Sequence, residues 1–248
     1  MRIDQWKILI PDMNNKAPII LAVDTSDLEL AKSWISHTAE YVSVYKLGLE
    51  FFLNFGPNGI RAITENSDAK IFLDLKLHDI PNTVAHAARS AATLNPFFLT
   101  VHASGGSAMI KAAVEAAPQT HVTAVTILTS MSEEDVKAVG FKADSVNAAT
   151  KLAELAVNAG ARAIVCSPLE TKTIRNAVGD ETIIITPGVR PISMVGKDDQ
   201  SRTMTPSAAI AAGANYVVIG RPITSAWEPD GVNIGKRAQE IASEILNS

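Results

Sequence analysis

Eight short apolar runs recur along this chain at nearly regular spacing, and that rhythm constrains its fold more than any other feature. They are Ile19–Val23, Tyr41–Lys46, Lys70–Leu75, Phe97–His102, Val122–Ile127, Ala163–Cys166, Thr182–Thr186 and Tyr216–Ile219. Each has the length and apolar content of a strand. Segments with helical spacing lie between them, most clearly Ser26–His37, Pro81–Leu94, Gly106–Ala117 and Ser145–Ala159. Several end at Gly or Pro, residues that stop helices. Alanine-rich faces over Val84–Ala92 and Ala148–Ala156 suit close packing on a sheet. Alternating strands and helices imply parallel strands joined by right-handed crossovers. Eight such repeats favour closure into a (β/α)8 barrel over an open doubly wound sheet. The 248 residues match the about 250 that this α/β fold requires. No Gly/Ser-rich linker or charge run divides the chain, so residues 1–248 read as one domain.

Composition narrows the class. Hydrophobic residues make up 47%, enough for a substantial core. A net charge of −4 argues against nucleic acid as a partner, because phosphate backbones demand a basic surface. The single cysteine, Cys166, cannot form an internal disulfide, which points to a reducing compartment. The N-terminal stretch has no long apolar core and no small-residue cleavage site, so no signal peptide is expected. No stretch reaches the roughly 18 apolar residues of a membrane span. The expectation is a soluble, cytoplasmic protein.

In such a barrel the chemistry sits in the loops after the strands. The third run, IFLDLKLHDIPNT from Ile71 to Thr83, carries Asp74, Lys76 and Asp79 at that end. Alternation puts Ile71, Leu73, Leu75 and Leu77 on one face and Asp74 with Lys76 on the other. Charges among so many apolar neighbours are costly unless paired. Lys46 follows Val42 and Val44 at period two, so it shares their inward face beside the third strand. An alternating Lys–Asp–Lys–Asp network becomes plausible. Asp24 ends the first strand, either as a turn residue or as a ligand to a sugar hydroxyl. His102 ends the fourth, and Thr129 with Ser130 follows the fifth.

The other side of the ring reads as a phosphate site. Gly220 and Arg221 end the eighth strand before a short helix, where barrels often hold phosphate. Arg190 and Gln200 lie in a long polar loop, Pro187 to Thr205, placed to close over a ligand. The histidines show no metal-ligand spacing, and Cys166 reads as an inert core thiol. Neither GxGxxG nor GxxxxGK[ST] occurs, so no motif favours a dinucleotide or a P-loop nucleotide.

These residues resemble the orotidine 5′-phosphate decarboxylase family, in its bacterial form. The resemblance rests on DLKLHDIPNT at Asp74–Thr83, supported by LAVDTSD, YKLGLEFF, VHASGG, TILTSM, TPGVRP, DDQSRT and VIGRPIT. It covers nearly the whole chain. It implies decarboxylation of orotidine 5′-monophosphate to uridine 5′-monophosphate, the last step of de novo pyrimidine synthesis, with no cofactor and no metal. Lys76 would donate the proton to C6 of the pyrimidine, and Asp74 would sit against the substrate carboxylate. Lys46 would link Asp74 to the ribose, and Asp24 would bind the ribose. Thr129 would lie near the base, with Ser130 adjacent. Arg190, Gln200, Gly220 and Arg221 would engage the phosphate. Asp79 and Thr83 would cross into the partner's site of a homodimer. Two other readings compete. Mg2+-dependent 3-keto-L-gulonate 6-phosphate decarboxylases and hexulose phosphate synthases share the Asp-x-Lys-x-x-Asp strand, but carry an acid where this chain has Lys46. A catalytically dead phosphosugar-binding protein is the other, and the intact Asp74, Lys76 and Asp79 set argues against it.

Overall fold

A computed structural model describes residues 16–65, 67–191 and 204–247. Its eight parallel strands follow one another around a closed barrel, β1 pairing with both β2 and β8. They are β1 (Ala17–Ala22), β2 (Val42–Leu47), β3 (Ile71–Leu77), β4 (Phe98–His102), β5 (His121–Val125), β6 (Ala163–Val165), β7 (Ile183–Thr186) and β8 (Tyr216–Ile219). The helices of the surrounding layer are α1 (Leu28–Thr38), α2 (Leu49–Thr64), α3 (Pro81–Ala92), α4 (Gly106–Ala116), α5 (Glu133–Ala138), α6 (Ser145–Asn158), α7 (Thr171–Val178), α8 (Pro206–Ala211), α9 (Arg221–Thr224) and α10 (Val232–Leu246). The (β/α)8 expectation is met.

Local chemistry sets the boundaries. The Asp27 carboxylate accepts the Leu30 N–H at 3.0 Å, so α1 begins two residues later than the spacing suggested. Ser132 and Asp135 cap α5 reciprocally, and Asp144 caps α6. Helix α3 stops at Ala92 rather than Leu94, because Asn95 turns into the left-handed region at φ 49° just ahead of Pro96. The fifth strand starts and ends earlier than expected. Thr126 still donates to the Val165 carbonyl at 3.1 Å before the chain turns away. Helix α2 is kinked at Gly56, whose φ is 57°, immediately before Pro57.

The barrel is filled, not hollow. Ile20, Val44, Phe72, Phe98, Ala163, Ile183, Ile185 and Tyr216 form one buried cluster. Phe98 on β4 meets Tyr216 on β8 edge to face at 5.7 Å, although these strands lie on opposite sides of the ring. This plug closes the interior beneath the carboxyl-terminal mouth, so anything bound there is excluded from the lower barrel. A larger cluster joins the outer strand faces to the helices, and it includes Val42. Only Val44 of the pair expected to share the inward face with Lys46 therefore belongs to the plug.

One charge is buried at the barrel's other end. Arg175 on α7 is 8% exposed. It donates to the carbonyls of Gly179, Thr182 and Gly213 and to Asn215 Oδ1, just before β7 and β8 begin. Burial lowers its pKa from the usual arginine value. Among the described residues no helix is long and apolar enough to cross a membrane.

Candidate active site

The carboxyl ends of β1, β2 and β3 converge on one carboxylate. Asp74 is 7% exposed, and both its oxygens accept from Lys76 Nζ at 2.9 Å. Thr100 Oγ1, from β4, donates to Asp74 Oδ1 at 2.9 Å. Lys46 Nζ lies 3.6 Å from Asp74 Oδ2 and 3.2 Å from Asp24 Oδ1. Burial pushes the Asp74 carboxyl up, but the Lys46 and Lys76 ammoniums and two hydrogen bonds together outweigh it and hold the pKa below its ordinary value. Asp74 is thus a fixed anion between two cations. Gly48 leaves room for this: a Cβ there would stand 3.3 Å from Lys46 Nζ.

Simple alternation does not deliver Lys76 to that position. Leu73 pairs with Leu99, and the next pair is Leu77 with Val101. Between these pairs β3 carries Asp74, Leu75 and Lys76, while β4 carries Thr100 alone. The strand bulges there, and bulges re-aim side chains. Lys76 takes φ 48°, left-handed backbone that costs a residue with a Cβ roughly 1–2 kcal/mol. Its N–H, displaced from the regular ladder, donates to Thr100 Oγ1 at 2.8 Å. The expected two-faced strand therefore holds only as far as Asp74. The meeting of Lys76 and Asp74 comes from the bulge.

Two cavities open beside this cluster. One of about 180 Å³ is walled by Lys46, Phe72, Asp74, Lys76, Val125, Ile127, Leu128, Thr129, Val165, Pro187 and Val218. The other, about 480 Å³, is walled by Ala22, Asp24, Lys46, Pro187, Gly188, Val189, Arg190, Val218, Gly220, Arg221, Pro222 and Ser225. They share Lys46, Pro187 and Val218. A small, largely apolar chamber beside the charges thus adjoins a wider polar one carrying two arginines. Thr129 lines the inner chamber, and Ser130 is not among its walls.

The remaining expected residues fall elsewhere. Asp79 is exposed, and its Oδ1 accepts the neighbouring Ile80 N–H at 2.6 Å. Within one chain it does not join Asp74 and Lys76. Thr83 is exposed in the first turn of α3. Gln200 lies outside the described residues. Of the described residues flanking it, Val189 and Met204 form a parallel bridge, and the Arg190 N–H donates to the Met204 carbonyl at 3.0 Å. His78 and His102 stand ring to ring at 5.3 Å beside the cluster. Burial, then His78 and Lys76, lower the His102 pKa against an opposing pull from Asp74, so the imidazole is neutral near pH 7. Cys166 is fully buried, its thiol pushed up to about 12 by burial. Thr100 went unnamed in the sequence reading. The available signal was its place two residues before His102, on the same face of β4.

Comparison with known proteins agrees with this geometry. A curated protein from Thermobifida fusca, named orotidine 5′-phosphate decarboxylase, is 51% identical over 229 residues, covering 92% of this chain and 96% of that one. One of the same name from Frankia casuarinae is 45% identical, covering 93% and 88%. The crystal structure of orotidine 5′-phosphate decarboxylase from Lactobacillus acidophilus superposes with a TM-score of 0.79 at 33% identity, covering 93% of this chain and 99% of that one. The sequence model of the orotidine 5′-phosphate decarboxylase / HUMPS family matches residues 17–232, and the chain belongs to that family.

Proposed function

We propose that this chain decarboxylates orotidine 5′-monophosphate to uridine 5′-monophosphate, with Lys76 as the proton donor. The observation that carries this reading is the buried, ionised Asp74 with the Lys76 ammonium on both its oxygens at the wall of a closed-ended chamber. Breaking the bond between C6 and the carboxylate leaves an electron pair on a ring carbon with little resonance relief. A fixed ammonium beside that carbon stabilises the developing charge and then delivers its proton. The bond to carbon dioxide breaks, the electron pair stays at C6, and the new bond to hydrogen takes a proton from Lys76 Nζ. The neutral amine recovers its proton from water once product leaves. Asp74 orients the ammonium and repels the substrate carboxylate it faces.

The wider cavity takes the rest of the nucleotide. Asp24 and Lys46 meet the ribose, while Arg190, Gly220 and Arg221 hold the phosphate, and Thr129 borders the base. The family resemblance adds Gln200 to the phosphate contacts. Phosphate binding far from the reacting carbon supplies energy that keeps the charged chamber assembled. The reading assigns no metal to the site, because Lys46 stands where the metal-dependent relatives carry a cation-binding acid. The chain acts as one domain in a homodimer. Exposed Asp79 and Thr83, beside Ile80 at 66% exposure, reach the partner's site, where Asp79 adds the second carboxylate to the network. The deciding experiment follows orotidine 5′-monophosphate by its ultraviolet absorbance, before and after dialysis against EDTA. Turnover unchanged by chelation is expected. Absence of turnover overturns the reading, and loss on chelation with recovery on adding Mg2+ transfers the chain to the metal-dependent branch.

A further inference from the structure

Thr100 is fully buried, and its one hydroxyl touches both halves of the acid–carboxylate pair. The direction of each bond is fixed by chemistry. The Lys76 N–H can only donate, and an ionised carboxylate can only accept. The hydroxyl proton therefore points at Asp74 Oδ1, and an oxygen lone pair receives the Lys76 N–H. Thr100 is also the single β4 residue opposite the bulge formed by Asp74, Leu75 and Lys76. Its side chain supplies the acceptor that the interrupted ladder no longer provides.

We propose that Thr100 is a positioning residue for the reaction: its hydroxyl holds the Lys76 backbone in its left-handed turn and sets the angle of the Asp74 carboxylate. It lines neither cavity, so it acts only through those two residues. This rests on Lys76 being the proton donor.

The test compares Thr100→Val, which keeps the shape and removes the hydroxyl, with Thr100→Ser, which keeps the hydroxyl. Misplacement of a reacting group by about 1 Å costs on the order of 100-fold in rate. Thr100→Val should therefore lose about 100-fold in kcat. Its KM for orotidine 5′-monophosphate and its Kd for uridine 5′-monophosphate should stay within about threefold, since the ribose and phosphate contacts are untouched. Thr100→Ser should recover kcat to within about threefold of wild type. If Thr100→Val does not fold, Thr100→Ala replaces it in the same comparison. Wild-type kcat in the hydroxyl-free variant, equal damage in the serine variant, or a loss confined to KM and product affinity would each overturn the proposal. Lys76→Ala in the same assay keeps the two ideas apart. An active Lys76→Ala sinks the proton-donor reading, whereas an inactive one beside an unimpaired Thr100→Val sinks the Thr100 role alone.

Discussion

The barrel fixes a positive charge at each end, and it treats the two charges in opposite ways. At the amino-terminal end, all five N–H donors of Arg175 are spent on neutral acceptors: three backbone carbonyls and one asparagine side chain. At the carboxyl-terminal end, the Lys76 ammonium meets a charged partner, Asp74, and spends two of its bonds there. Its side chain remains 32% exposed to the chamber. The first arrangement is saturated and ties α7 to the starts of β7 and β8. The second has a donor left over and a charge that a ligand can feel. A saturated cation serves stability, and an unsaturated one held against a carboxylate is available for chemistry.

Four measurements strain that contrast, the most damaging change first. Lys76→Ala removes proton donation and charge stabilisation together, so turnover should fall by about 100,000-fold. The melting temperature should move only a few degrees. A variant keeping more than about a tenth of the wild-type rate would be too active for the loss of even a modest acid–base effect.

Arg175→Met is the mirror experiment. It leaves several buried acceptors without partners and should destabilise the fold by roughly 3 kcal/mol in urea titrations. Well below its melting point, kcat/KM should stay within a few-fold of wild type. A large activity loss in a folded Arg175→Met would erase the division of labour between the ends.

Mixing inactive Lys76→Ala with inactive Asp79→Ala probes whether the open end is completed by a second chain. Random subunit exchange makes about half the dimers mixed, each with one intact site, so roughly a quarter of wild-type activity should return. No recovery despite proven exchange would confine Asp79 to its own chain.

The smallest effect is in the pH dependence of stability. The Asp74 pKa is lowered on folding, so its contribution is full above the ordinary carboxylate value of about 3.9 and is lost as pH falls through the folded value. The stability gap between wild type and Asp74→Asn should narrow as pH drops from 5 towards 2. The gap for Arg175→Met should show no such trend of its own, because a guanidinium does not titrate there. Parallel behaviour of the two gaps would mean that the Asp74 charge is not held by its neighbours.

Much of this was legible in the chain. The strands announce themselves because both of their faces are buried, so each reads as an apolar run. Charges at their ends stand out against that background, which is why Asp24, Lys46, Asp74 and Lys76 are conspicuous in the sequence alone. Other features depend on partners distant in sequence. The left-handed turn at Lys76 answers to a hydroxyl 24 residues away on β4. Arg175 is satisfied by carbonyls, which every residue carries and no sequence pattern marks. Helix α2 continues past Gly56 and Pro57, residue types that stop most helices, so no sequence pattern marks its full length. Asp79 could be recognised from its motif, but its separation from Asp74 and Lys76 within the chain requires the fold.

The sealed position of Cys166 has a practical consequence. It is the chain's only thiol, it has no exposed surface, and its pKa is pushed up to about 12. A chromogenic disulfide reagent therefore finds nothing to attack while β6 stays packed, since the thiolate is the reactive form. Any slow colour development under native conditions counts openings of that part of the barrel. The molecule carries its own clock for unfolding, with no label added.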